Sequence, residues 1–432
     1  MLPAADRSLQ IEYAIRDVVV PAKALEAAGH KVLKLNIGDP CAYGFQPPRH
    51  LVEALHKAAL DGLNGYTPSE GDPQLIDAIR RREKRRNEAE YGAGDVLVTT
   101  GVSESLQLLL GSAIRPGDEV LIPGPSYPPY DSLVKYFGGV PVHYRTIEEQ
   151  DWQPDVDDVR RKIGPRTKAV CLINPNNPTG ALYPEKVVKA FADLAGEHQA
   201  QLLLVSDEIY DEMTFDGTQV ATHRTAPDVP MVTLNGFSKV HLVPGWRLGH
   251  MLWNDPTGSL ASIREGVTKA SRVRLCASSV AQRAAVAALE GPQDHVAATN
   301  AILRKRRDFA VKRLNEIDGV SCARPDGAFY AFPRLDFMAD TARKAAGRPT
   351  SKAGSGAAFR APVAGRLPWK SDKDFVLDFL SDQKVLTVHG SGFDPQYGSG
   401  HFRIVILPDI PILEDALGRL EKFIGKRLGA GK

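Results

Sequence analysis

Two short apolar runs, each stopping abruptly at polar residues, do most to limit what this chain can become. Residues 169–173 read Ala-Val-Cys-Leu-Ile and lead straight into Asn174-Pro175-Asn176-Asn177-Pro178-Thr179-Gly180. Residues 202–205 read Leu-Leu-Leu-Val and lead into Ser206-Asp207-Glu208-Ile209-Tyr210. A strand with one wet face alternates polar and apolar residues; these do not, so both faces must be covered. Such strands belong to mostly parallel sheets between helices, where ligands lie outside the carboxyl ends of the strands. Asn177, Asp207 and Tyr210 are therefore expected at one crevice.

The neighbouring sequence continues the pattern. Residues 96–100 read as a strand, 103 to about 113 as a helix and 120–122 as the next strand, and the alternation runs to about 253. Before it, the spacing predicts a helix from 11 to about 28, a short strand ending in a turn at 34–40, and a helix from 51 to about 60. After it come helical patterns at 279–289 and 300–314, sparse strands at 328–332, 385–388 and 402–407, and a closing helix from about 413. A chain of 432 residues is long for one core, so two domains are expected. The reading is a segment 1–60 joining a small α+β domain, a large domain 61–315, and the rest of the small domain at 316–432. Residues 341–370 are rich in Ala, Gly, Pro, Arg and Lys with little periodicity, and read as a surface insertion.

Composition excludes several roles. The formal net charge is +2, which gives no reason to expect nucleic acid or an anionic membrane as partner. Cys41, Cys171, Cys276 and Cys322 have neither disulfide-framework nor zinc spacing, so no metal is expected. The N-terminus has no apolar signal core and no run is long enough to span a bilayer, so a soluble cytoplasmic protein is expected.

Residues 236–249 carry the chemistry: Gly236-Phe237-Ser238-Lys239-Val240-His241-Leu242-Val243-Pro244-Gly245-Trp246-Arg247-Leu248-Gly249. A lysine follows a short polar segment, and an arginine comes eight residues later behind a Pro-Gly turn. With Asn177 and Asp207–Tyr210 upstream in the same order, the chain resembles the class I/II aminotransferases. These are fold type I transferases dependent on pyridoxal phosphate (PLP), and the resemblance extends over nearly the whole chain. It implies a large domain with a mostly parallel seven-stranded sheet covered by helices, plus a smaller α+β domain built from both chain ends.

The same resemblance implies the roles. Lys239 would form the Schiff base with the cofactor and shuttle the substrate proton; the bland alternative is a solvated loop lysine. Asp207 would face the pyridine nitrogen and keep it protonated, unless it merely caps a helix starting near Ile209. Tyr210 and Asn177 would donate to the phenolic oxygen, although Asn177 also suits a plain turn. Tyr127 in Pro125-Ser126-Tyr127-Pro128-Pro129-Tyr130 would stack on the ring or else simply pack. Gly101, Val102 and Ser103, at the start of a helix, would cradle the phosphate with Ser238 and Arg247, whose guanidinium suits a bidentate clamp. Many relatives carry serine where Gly236 stands. Tyr66 would reach the phosphate of a partner subunit in a homodimer; alone it reads as a turn aromatic. Arg403, in His401-Phe402-Arg403-Ile404, would grip the substrate carboxylate, and Gly38 would lie in the loop over it.

Residues 11–16 and 31–38, with Leu234-Asn235-Gly236-Phe237-Ser238-Lys239 and Arg274-Leu275-Cys276-Ala277, resemble the alanine aminotransferase subgroup. That implies transfer from L-alanine to 2-oxoglutarate, giving pyruvate and L-glutamate. Aspartate or another amino acid as donor is the first rival, with Arg272 or Arg274, from across the dimer, a candidate for its side-chain carboxylate. A PLP-dependent C–S lyase is the second. A non-catalytic regulator would need a DNA-binding domain ahead of position 11, where no room is expected.

Overall fold

The computed structural model describes residues 2–11, 14–198, 201–338 and 367–429. The expected insertion at 341–370 lies outside the described residues up to 366, as do Glu12 and Tyr13 of the first segment.

The first strand, β1 (Leu33–Lys34), is separated by helices from eight strands of one sheet. These are β2 (Val96–Thr99), β3 (Glu119–Gly124), β4 (Val140–Ile147), β5 (Gln153–Pro154), β6 (Thr167–Ile173), β7 (Leu203–Asp207), β8 (Met231–Gly236) and β9 (Gly249–Asn254). Their order is β2-β9-β8-β7-β6-β3-β4-β5. The seven expected strands are present, and the two-residue β5 adds an eighth at one edge. Strands β8, β7, β6, β3 and β4 run parallel, whereas β9 is antiparallel to both its neighbours.

Both faces of the sheet are covered, as the unbroken apolar runs require. Val170 and Leu172 of β6 pack into one core with Phe191 and Leu204, while Ala169, Cys171 and Ile173 pack into another with Leu106 and Val205. The register then aligns the strand ends. Ile173 lies beside Asp207, Asp207 beside Leu234, and Gly236 beside Gly249. The polar segments after β6, β7 and β8 therefore emerge at one level. The antiparallel β9 starts at that same rim, beside Thr99 at the end of β2.

The remaining strands are β10 (Val320–Ser321), β11 (Tyr330–Ala331), β12 (Arg334–Leu335), β13 (Val385–Leu386), β14 (Val388–His389) and β15 (Phe402–Val405). The run expected as one strand at 385–388 divides: β13 pairs in parallel with β1, and β14 pairs with β15. The β1–β13 ladder joins the two ends of the chain. The helix expected over 11–28 is also broken, into Ala14–Asp17 and Val19–Ala27. Pro21 has no N–H to give the carbonyl four residues back, but is tolerated in the first turn of a new helix.

Candidate active site

A cavity of about 700 Å³ opens at the rim where the strands end. Of the expected residues, Gly38, Val102, Ser103, Tyr127, Asn177, Asp207, Tyr210, Ser238, Lys239, Arg247 and Arg403 all line it. They come from segments far apart in sequence, and the register of β6, β7 and β8 brings them together.

Lys239 is half-buried, and its ammonium group donates to the carbonyl of Gly38 at 2.8 Å. The rings of Phe329 and Tyr210 lie 5.4 and 6.0 Å from Nζ. Burial lowers its pKa to about 8, and Arg247 and Arg403 push the same way against the opposing pull of Asp39. A solvated loop lysine would not be lowered so far, because each environment change that disfavours the charged amine needs desolvation or nearby cations. Gly38 has no side chain for a reason: a Cβ there would run into the Tyr330 hydroxyl and come within 2.8 Å of Phe329.

Asp207 is 4% exposed and sits at the end of β7. The hydroxyl of Tyr130 donates to its Oδ2 at 2.8 Å, and the N–H of Ile209 to its Oδ1 at 3.2 Å. No helix starts here; residues 209–212 form a turn, so the capping alternative holds only for that one N–H. Burial raises the carboxyl to about 6, with Tyr130 and Ile209 pulling it back. Tyr210 shares a 2.9 Å hydrogen bond with Tyr330. Arg403, 1% exposed on β15, donates from Nη1 to Asn177 Oδ1 at 2.9 Å and from Nη2 to the carbonyl of Asn36. Its guanidinium lies over the rings of Tyr330 and Phe393, at 4.4 and 4.8 Å.

At the other end, Gly101 precedes the helix Val102–Ala113 with φ +79°, and no side chain caps that helix. A Cβ on Gly101 would come within 2.7 Å of Arg247 Nη2. The arrangement is a cradle of free backbone N–H groups facing an exposed guanidinium, which suits an anion. Arg247 itself is in the left-handed region, φ 52°, and donates to the carbonyl of Pro244 at 2.9 Å. Gly236 is explained by packing: a Cβ there would sit 3.0 Å from both Gly249 Cα and the Leu248 carbonyl. A serine at that position would need the β8–β9 contact to give by a few tenths of an ångström.

Residues 30–420 match the family model for aminotransferases of class I and II. The chain is a class I and II aminotransferase. It is 35% identical to the glutamate-pyruvate aminotransferase AlaA of Haemophilus influenzae, covering 98% of each chain. It is 38% identical to an alanine aminotransferase of Mycobacterium tuberculosis, over 93% of this chain and 88% of that one. Its structure resembles the alanine aminotransferase of Pyrococcus furiosus with a TM-score of 0.89 at 49% identity, covering 98% of this chain and 100% of that one. The aminotransferase is thus a PLP-dependent transaminase that acts on amino acids and oxo acids. The residues present fit that cofactor. The anion cradle at Gly101 lies at one end of the cavity, the buried carboxylate of Asp207 is available to a ring nitrogen, and an amine of lowered pKa stands between cationic neighbours.

Three residues of the aminotransferase were not foreseen in these roles. Tyr130 holds Asp207, Tyr330 connects Tyr210 to Arg403, and Arg16 brings another cation to the cavity wall. Tyr130 stands within the Pro-Tyr-rich motif already singled out, so that motif was the available signal; nothing in the sequence points from Arg16 or Tyr330 to the strand ends. Tyr66 is not part of the cavity and is 83% exposed. Arg272 and Arg274 are each paired within the chain, with Glu70 at 2.8 Å and Glu104 at 2.9 Å. Among the described residues no group of His, Cys, Asp or Glu could hold a metal ion, and no helix is long and apolar enough to cross a membrane.

Proposed function

We propose that this aminotransferase moves the amino group of L-alanine to 2-oxoglutarate, giving pyruvate and L-glutamate, as a cytoplasmic homodimer. The observation that carries it is the buried Arg403 within the same cavity as the partner-poor amine of Lys239. One group can fix a carboxylate and the other can move the proton next to it. The names of the relatives point to alanine and pyruvate as the pair.

PLP, when bound, supplies an aldehyde for the amino group and a ring that draws electrons from the substrate Cα. The anion cradle of Gly101, Val102 and Ser103, with Ser238 and Arg247, would hold the phosphate. Tyr127 would pack against the ring, and Asp207, held by Tyr130, would keep its nitrogen protonated. Asn177 and Tyr210 would donate to the ring oxygen. Arg403 forks onto the α-carboxylate and so fixes where Cα lies. Gly38 lets the loop approach closely, and Lys239 Nζ takes the Cα proton. Arg16 offers a cation to the second carboxylate of 2-oxoglutarate, which alanine lacks. The intrachain pairing of Arg272 and Arg274 argues against either as an anchor for aspartate.

Tyr66 stands exposed in the same stretch as exposed Leu60 and Leu63, which supports a subunit interface with Tyr66 reaching the neighbouring site. The domain limits 1–60, 61–315 and 316–432 belong to this proposal; the β1–β13 ladder supports the first joining the last. The test is a product balance with alanine and 2-oxoglutarate. Equal pyruvate and glutamate without ammonia is expected. Ammonia in step with pyruvate would favour a lyase, and faster turnover of aspartate than alanine would overturn the donor assignment.

A further inference from the structure

His143 lies outside the cavity on β4, between two carboxylates from separate elements. Its Nε2 is 2.8 Å from Asp131 Oδ2, on the helix Pro129–Tyr136, and its Nδ1 is 2.9 Å from Asp394 Oδ2, in the loop after β14. Asp394 is fully buried and is fixed by its own loop, accepting from the N–H groups of Gln396 and Tyr397 at 2.6 Å each. The other charged neighbour is Lys162, whose Nζ donates to the His143 carbonyl at 2.6 Å, to Asp158 at 2.7 Å and to the Tyr397 hydroxyl at 3.3 Å.

The two carboxylates belong to two segments that border the site. Asp131 stands on the helix that begins two residues after Tyr127 and whose Leu133 lines the cavity. Asp394 follows Phe393, the ring beneath Arg403. The segments also meet directly. The Ser126 N–H donates to the Phe393 carbonyl at 3.3 Å, and a Cβ on Gly124 would come within 3.0 Å of Asp394 Oδ2. Nε2 hydrogen-bonds Asp131, while Nδ1 approaches Asp394 at ion-pair distance; an imidazolium attracts both carboxylates, whereas a neutral ring has a single N–H and turns a lone pair toward one of them.

We infer that His143, as an imidazolium strut between Asp131 and Asp394, is a positioning residue that holds Arg403 and the Tyr127 loop at the spacing needed to bind a substrate carboxylate. The inference rests on the assignment of Arg403 as that carboxylate's anchor. Burial alone would lower the histidine, but the two carboxylates outweigh it and raise it to about 9 from 6.5. A raised pKa means the strut is complete below about 6.5, remains largely charged at neutral pH and is lost as pH rises through about 9.

The test measures inhibition of the PLP-loaded enzyme by propionate, a carboxylate without an amine of its own to titrate. For the unmodified enzyme the inhibition constant is expected to stay level to about pH 8 and rise through about 9. His143→Gln should raise it roughly tenfold at pH 7.5 and abolish the rise, while kcat changes less than threefold. Asp394→Asn removes the strut from the other side and should act similarly, so the test survives if one variant fails to fold. An inhibition constant within twofold of the unmodified value in a folded variant, or a loss confined to melting temperature, overturns the inference. Competition of propionate with the amino donor checks the Arg403 assignment separately: no competition by the unmodified enzyme would reject that assignment rather than the strut.

Discussion

Charges lie at two levels of this molecule, and burial treats them alike while their partners do not. At the rim, Lys239 has a carbonyl and Asp207 a hydroxyl and one N–H; the amine falls to about 8 and the carboxyl rises to about 6. Beneath the rim, Arg82 meets Asp211 at 2.5 Å and Glu83 and Glu212 at 2.6 Å. Asp211 also accepts from Asn235 at 3.0 Å, and Asn235 precedes the strand end that leads to Lys239. Here burial is outweighed: the carboxylates hold Arg82 well above its ordinary value, and Arg82 and Arg86 hold Asp211 below its own. A desolvated charge with opposite charges around it is structural. One whose hydrogen-bond partners are neutral dipoles is left close to titration, which is what proton transfer requires.

The sharpest way to break this contrast is at its most reactive member. Lys239→Ala should lower kcat about ten-thousandfold, the upper range for a positioned acid–base group, with an unchanged unfolding midpoint. Arg82→Met should do the reverse. It takes from Asp211, Glu83 and Glu212 their shared guanidinium, leaving Arg86 at 3.6 Å as the cation beside two of them, and denaturant titration should show a loss of about 3–5 kcal/mol in unfolding free energy. If Arg82→Met folded with full stability, the paired network would not be structural.

Two smaller effects refine the comparison. Tyr130→Phe removes a hydrogen bond to a buried carboxylate, worth about 1.5–3 kcal/mol. Asp207 should then rise above its present value of about 6, so the acid limb of the kcat–pH profile should move upward and activity at pH 6 should fall more than at pH 8. Glu208 lies next to Asp207 in sequence, 2% exposed, bonded to the Ser206 hydroxyl at 2.8 Å and the Thr222 N–H at 3.0 Å. Burial raises it from 4.5 to about 7. The folded state therefore holds a proton the unfolded state has lost, and stability falls as pH rises from about 4.5 through about 7. Glu208→Gln should flatten that slope and be at least as stable as the unmodified enzyme at pH 8.

The strand ends were legible in the sequence because their signal is local. A run apolar on both faces, cut off by polar residues, states both the strand and where its functional end lies. Lys239, Asp207, Asn177 and Arg247 followed from position relative to those ends together with the family resemblance. What depends on partners from elsewhere was not legible. Nothing in 385–388 says that Val385 pairs with Leu33 while Val388 pairs with Arg403, so the run read as one strand. Arg16 reaches the cavity only because its short helix is carried across the rim. Tyr330 reads in sequence only as a strand residue, and its hydroxyl contact with Tyr210 arises from two segments 120 residues apart.

The most direct test of the account is the absorption spectrum of the PLP-loaded protein titrated with L-alanine in the absence of any oxo acid. The account predicts loss of the yellow cofactor band with one pyruvate and no ammonia per site, and return of the band on adding 2-oxoglutarate. A band that alanine leaves untouched, or that persists while ammonia accumulates, would contradict it.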